Sequence, residues 1–196
     1  MRGEERRAAI VQAAIHLFAE KGFRGTTTRG LAAALGVSGP VLYRHFKTKR
    51  DLYRAIIETK AQQRDRQLAG LTALRDAGDH AFFQYLGHRI LERYDDDPDF
   101  MRLLLFSALE RHELADLFFE RQIQEHLRAV TAYIQRRIDE GRYRPVDAQA
   151  AASGFNGMLN YYGMMRMLFG RRIAEKSRAE VVEEMVEIFL RGILAP

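Results

Sequence analysis

Apolar residues recur along this chain at steps of three and four, and no stretch alternates apolar with polar residues over the length of a strand. The pattern predicts helix after helix. A first helix from about Glu4 to Lys21 places Ile10, Ala14, Leu17 and Phe18 on one face. A fourth, capped by Thr48 and running to about Leu74, keeps Leu52, Ile56, Leu68 and Leu71 in a loose helical register. Helices are also predicted from Gly78-Asp79 to Tyr94, from Asp99 to Leu109, and from Glu113 to Glu140, where Ile123, Leu127, Val130, Ile134 and Ile138 follow one another and Gly141 ends the run. Pro145-Val146-Asp147 opens another, to about Phe169, with Phe155, Met158, Leu159, Tyr162 and Met165 in register. Ser177 caps the last, to Gly192, whose stripe Val182, Met185, Val186, Phe189 and Ile193 is opposed by Glu183, Glu184, Glu187 and Arg191. The fold class that follows is all-α, without internal repeats.

The run TTTRGLAAALGVSGPVLYRHF, Thr26 to Phe46, departs from these long helices. Thr27 can cap a short helix whose Leu31, Ala32 and Leu35 share one face, and Gly36 can close it in the left-handed conformation that a Cβ disfavours. Ser38 caps a second short helix, with Pro40 near its first position, where a missing N–H costs nothing. Leu42 and Phe46, four apart, face inward and turn Gly39, Val41, Tyr43 and Arg44 outward. This is the layout of a helix-turn-helix, in which the outward face enters the DNA major groove.

The longer pattern from Gly22 to Ile56, GFRGTTTRGLAAALGVSGPVLYRHFKTKRDLYRAI, resembles the N-terminal domain of TetR/AcrR-type transcriptional regulators. The resemblance rests on Gly22, Thr26-Thr27, Leu31-Ala32, Gly36-Val37-Ser38, Leu42-Tyr43, Phe46, and Lys49 followed by Leu52, in that order and spacing. It covers the first quarter of the chain; the remainder is similar to the family in length and helical layout. Two positions depart from the family pattern. Gly30 stands where an acidic residue is common, at a cost of about 1 kcal/mol relative to alanine inside a helix, and Gly39-Pro40 replaces a lysine-glycine pair, removing a phosphate contact. The resemblance implies a helix-turn-helix domain at residues 1–47, a helical effector-binding and dimerisation domain at 48–196, and a homodimer whose last two helices form a four-helix bundle. It also implies a repressor released from a two-fold operator by a small molecule.

Charge agrees with that division. Through Arg50 there are ten Lys/Arg against three acids, while the rest of the chain carries 21 against 23. Phosphate contacts are expected from Tyr43, His45, Lys47 and Lys49, with Thr27 and Thr28 at a helix N-terminus whose free amides favour an anion. The resemblance assigns Tyr43 such a contact, its alternative being ordinary amphipathic packing; neutral His45 could instead simply pack. For base recognition the candidates are Arg44 on a guanine, Val41 on a thymine methyl, and Arg29 on a base or the backbone. Ser38 and Gly39 complete the expected surface, and the lack of a side-chain donor at Gly39-Pro40 calls for close backbone approach or DNA shape.

The remaining composition mainly excludes. There is no cysteine, so no disulfide, thiolate nucleophile or cysteine-ligated zinc, in keeping with a reducing cytoplasm. The N-terminus is charged and amphipathic, unlike a signal peptide, and the apolar stretch Gly154 to Gly170 is interrupted by Asn156, Asn160 and Arg166. HExxH, GxSxG and a phosphate loop are all missing, which argues against an enzyme. Asp95-Asp96-Asp97 before Pro98 reads as a helix stop, and neither a metal nor a cofactor is expected. An architectural DNA-coating protein is the other alternative, but it would spread basic charge beyond the first quarter. Candidates to line an effector pocket are Phe82, Tyr85, Phe106, Phe118, Leu159 and Tyr161. The possible polar anchors are His88, Arg89, Gln122, His126, Asn156 and Asn160, and packing is the default role for most of both groups. Such a pocket would suit an apolar, aromatic or acyl-bearing molecule with one or two polar groups.

Overall fold

In the computed structural model, helix α1 spans Gly3–Gly25 and bends at Gly22, whose φ of 67° and ψ of 176° leave the helical region. The structure describes residues 3–60, 74, 77–111, 113–119, 123–170 and 176–195. Helices α2 (Thr28–Ala34) and α3 (Gly39–His45) follow, and then α4, helical over 49–60; the expected continuation of α4 toward Leu74 lies mostly outside the described residues. Next come α5 (Asp79–Asp96), α6 (Pro98–Leu109), α7 (Glu113–Phe118), α8 (Gln124–Asp139), α9 (Ala148–Phe169) and α10 (Arg178–Ile193). Where one helix was expected from Glu113 to Glu140, α7 and α8 are assigned separately, with 120–122 outside the description. No strand is assigned among the described residues, and none of their helices is long and apolar enough to cross a membrane.

The chain divides into two compact units that do not follow its order. One combines Met1–Arg64 with Pro98–Arg121; the other combines Asp65–Asp97 with Gln122–Pro196. In the first, α1 lies along α6, and Ala14, Phe18, Leu31 and Ile56 are removed from water completely. Burial of this kind contributes about 1.5–3 kcal/mol for each large side chain. Phe18, Phe23 and Tyr53 form an aromatic triad at centroid distances of 5.3–5.8 Å, and the Tyr53 hydroxyl is paired with Ser107 on α6. Burial pushes the Tyr53 phenol well above its usual pKa, so it stays a neutral hydrogen-bonding group.

In the second unit α5 packs on α9 and α10 around Phe83, Phe155 and Phe189, whose rings lie 4.8–5.0 Å apart. Two glycines set the spacing of these helices. A Cβ on Gly87 would stand 2.8 Å from Val182 Cγ1, and one on Gly163 would overlap the Tyr94 ring. Asp79 at the start of α5 accepts from Arg137 Nε at 2.6 Å and from the Tyr133 hydroxyl at 2.7 Å, so a buried guanidinium is matched by a carboxylate. Burial first, and then the hydrogen bond to Asp79, raises the Tyr133 phenol to about 12. The expected cap at Ser177 is realised as a reciprocal box with Glu180, and Asp147, at the expected start of α9, caps it by accepting from Ala150 N. Of the aspartate run, Asp95 pairs with Arg166 and Arg178 near the end of α5.

Candidate nucleic-acid interface

The turn between α2 and α3 is built as the sequence requires. Thr27 Oγ1 accepts from Gly30 N at 3.0 Å, Gly36 takes φ of 60°, and Ser38 stands at the N-cap of α3 in an extended conformation, although its hydroxyl makes no cap bond. Leu31, Ala32, Leu42 and Phe46 are buried, with the Arg7 guanidinium 4.9 Å from the Phe46 ring centroid. Packing that face inward leaves Arg29, Ser38, Pro40, Tyr43, Arg44 and Lys47 exposed, with Thr28, Gly39, Val41 and His45 half-buried beside them. None of the outward cations among these has a carboxylate partner within the described residues, which leaves their charge available to a polyanion.

One contact ties the two short helices across this surface. Tyr43, 49 % exposed on α3, donates its hydroxyl to Thr28 Oγ1 at 3.2 Å, at the N-terminus of α2. A phenol, a threonine hydroxyl and the unpaired amides of a helix start thus converge at one point, the arrangement that receives a phosphate oxygen. His45 is less open than expected: its Nε2 is buried without a hydrogen-bond partner.

Lys49, expected at a phosphate, turns inward instead. Its Nζ donates to the carbonyls of Phe23 (2.6 Å) and Thr26 (2.8 Å) and lies 4.1 Å from the Phe23 ring centroid. Burial lowers its pKa, against the pull of the nearby Glu110 carboxylate. Two of three ammonium donors are therefore engaged with the turn that leads into α2. Thr26, 3 % exposed, donates to Gly22 O at 2.8 Å and fixes the same turn from the other side. Sequence reading gave Thr26 no role. Gly22 sits at a φ of 67°, which disfavours any side chain there, and a Cβ would also have to push aside the Glu110 carboxylate.

The expected pocket residues fall in both compact units. Phe106 and Phe118 belong to the first compact unit, where Phe118 is packed edge-to-face on Phe100, whereas the others belong to the second. Phe82 and Leu159 are core, with Phe82 stacked on Tyr133 at 3.7 Å. Tyr161 is 63 % exposed on the outer face of α9, and Gln122 lies outside the described residues. His126 Nε2 and Asn156 Oδ1 meet at 3.2 Å, Asn160 accepts from the Tyr94 hydroxyl, and Tyr85 and His88 are half-buried. Arg89 pairs with Glu92, but its Nε is buried without an acceptor, and so is Nε of Arg93, four residues along the same helix. Burial depresses the Arg93 pKa, Arg89 adding to the effect and Tyr94 opposing it. No carboxylate among the described residues pairs with Arg93, a cation that sequence reading missed because a charged residue on an amphipathic helix ordinarily faces water.

Known proteins match both parts of the chain. Residues 10–56 match the family model of bacterial regulatory proteins of the tetR family, and residues 93–192 match that of the AefR-like transcriptional repressor C-terminal domain. The uncharacterized HTH-type transcriptional regulator YfiR of Bacillus subtilis is 25 % identical over 199 residues, spanning 97 % of this chain and 93 % of that protein. A TetR-family regulator from Mesorhizobium loti superposes over the full length of both chains with a TM-score of 0.73 at 25 % identity. AibR, solved with isovaleryl coenzyme A and operator DNA, superposes with a TM-score of 0.73 at 18 % identity, over 93 % of this chain and 97 % of its own.

Proposed function

The chain belongs to the TetR family of bacterial transcriptional regulators, and from that premise we propose that it represses transcription from a two-fold operator and is released by a small acyl-bearing molecule. The observation that carries the reading is the convergence of Tyr43, Thr28 and the α2 N-terminus beside the open face of α3. Residues 1–47 are the reading module and 48–196 serve effector binding and dimerisation. Thr27, Thr28, Tyr43 and Lys47 hold phosphates; Arg44, Val41 and Arg29 address bases, with Gly39-Pro40 allowing the backbone close to the groove floor. Lys49 acts on DNA indirectly, by fixing the turn that aims α2.

Two reading modules are supplied by a homodimer through α9 and α10. Supporting this are the exposed apolar side chains Tyr161, Leu168, Phe169 and Ile188 on those helices, and a groove of about 450 Å³ floored by Gly154, Met158, Ile188 and Phe189. Such a regulator acts in the cytoplasm, where its operator is. The effector's acidic group is held by Arg93 and Arg89, because the Nε of each is buried without an acceptor and such a donor is costly until an anion arrives. The acyl coenzyme A bound by AibR is an anionic, acyl-bearing molecule of this class. Binding lowers DNA affinity by favouring a form whose two reading helices are wrongly spaced for successive major grooves.

Selection of bound sequences from a random duplex pool, repeated with short-chain acyl coenzyme A present, tests the reading. A palindromic motif that disappears when an acyl coenzyme A is added is the expected result. Enrichment without a two-fold motif would overturn operator recognition, and a motif indifferent to every anionic acyl compound would overturn the effector assignment.

A further inference from the structure

In the second compact unit, one imidazole and two carboxylates converge between α5 and α10. His80 sits in the first turn of α5; Glu183 and Glu187 are four apart on α10 and therefore on one face of it. His80 Nε2 is 3.0 Å from Glu183 Oε1 and 3.7 Å from Glu187 Oε1, and the three donor atoms lie within 4.8 Å of one another. In a tetrahedral zinc site with bonds of about 2.0–2.1 Å, ligand atoms stand roughly 3.4 Å apart, midway between the two separations seen here.

The carboxylates are also held in the sense that ligation needs. Gln84 Nε2, one turn along α5 from His80, donates to Glu183 Oε2, and Arg191 Nε donates to Glu187 Oε2 at 3.1 Å. In each carboxylate one oxygen is anchored by a neighbour while the other is turned toward the imidazole, the outer-layer arrangement that orients metal ligands. Two anionic side chains at i and i+4 repel each other on a helix, so something positive between them is favoured. We propose that His80, Glu183 and Glu187 bind one divalent transition-metal ion of the Zn²⁺ class, water completing its coordination, and so clasp α5 to α10. One nitrogen and two carboxylate oxygens form a borderline donor set that suits Zn²⁺, with Co²⁺ as a substitute; Ca²⁺ calls for six or more oxygens.

The full-length protein, purified without a polyhistidine tag and stripped with a chelator, is titrated calorimetrically with ZnCl2 and followed by absorption with CoCl2. One equivalent per chain is expected, with visible bands that report imidazole and carboxylate around cobalt. His80→Ala and Glu183→Gln are each expected to weaken Zn²⁺ binding by at least about tenfold, since loss of even an outer-layer partner has that effect. Added zinc is expected to raise the melting temperature of the wild type and not that of Glu183→Gln, with circular dichroism showing that the variant is folded. Absence of stoichiometric zinc binding to the wild type, or unchanged affinity in either folded variant, overturns the assignment; the first would leave these three residues a hydrogen-bonded cluster and the second would place the ion elsewhere.

Discussion

The turn-bearing unit around α1 to α4 and the unit built on α5, α9 and α10 treat their polar side chains in opposite ways. In the latter they are largely matched: Asp79 takes Arg137 and Tyr133, and Asp95 takes Arg166 and Arg178. In the former the cations at Arg29, Arg44 and Lys47 stay exposed on a face whose apolar backing is completely buried. Matched charges help to hold a unit together, whereas unmatched charges on an exposed face await a partner from outside. Arg93 stands apart from these pairs, with no carboxylate partner among the described residues.

The largest effect should come from the core of the matched unit. Phe155→Ala removes a fully buried ring that touches both Phe83 and Phe189 and is expected to cost about 4 kcal/mol in denaturant titration. A loss below about 1 kcal/mol would mean that this cluster is not the core. On the reading face, Arg44→Ala is expected to cost about 1–3 kcal/mol on the selected operator and to relax preference at one base pair, while leaving the melting temperature alone. Equal losses on operator and random DNA would move Arg44 from base to phosphate.

A sharper contrast comes from Lys49→Met. Because its ammonium is engaged with two carbonyls, the substitution should lower stability by about 1–2 kcal/mol and leave the salt dependence of DNA binding unchanged. A salt slope shallower by about one would return Lys49 to the phosphate contacts. The smallest effect concerns pH. Hydrogen bonding to Asp99, aided by the charge of Glu20, raises the His16 pKa above 6.5. The folded state therefore holds the proton more tightly, and this contribution is present in full below about pH 6.5 and fades as pH rises through the raised value. His16→Gln should flatten the melting temperature between pH 5.5 and 8; an equally sloped profile in the variant would rule the pair out as its source.

Much of this was legible before any coordinates, for physical reasons that differ by element. Caps at Thr27 and Ser177, the left-handed turn at Gly36, and the helix end at Gly141 follow from local chemistry within four residues, and the structure has each. The apolar backing of the reading helices was equally local. What stayed hidden depends on distant partners. Nothing near Lys49 in sequence says that it will find the carbonyls of Phe23 and Thr26, and nothing near Gly163 says that the Tyr94 ring will press against it. The distribution of the pocket candidates was hidden for the same reason: periodicity marks a side chain as apolar-facing without naming which neighbour it faces, and nothing local says that Phe106 and Phe118 pack in a different compact unit from Phe82 and Leu159.

The bond from the Tyr43 hydroxyl to Thr28 has one more consequence. A long exposed ring would otherwise sample several rotamers, and freezing it on contact with DNA would subtract about 0.5–1.5 kcal/mol from affinity. Here the hydroxyl already rests on a stand-in acceptor beside the helix start, so under the proposed contact an arriving phosphate would exchange one oxygen for another. The entropic loss belongs to folding, and the encounter with the duplex proceeds without it.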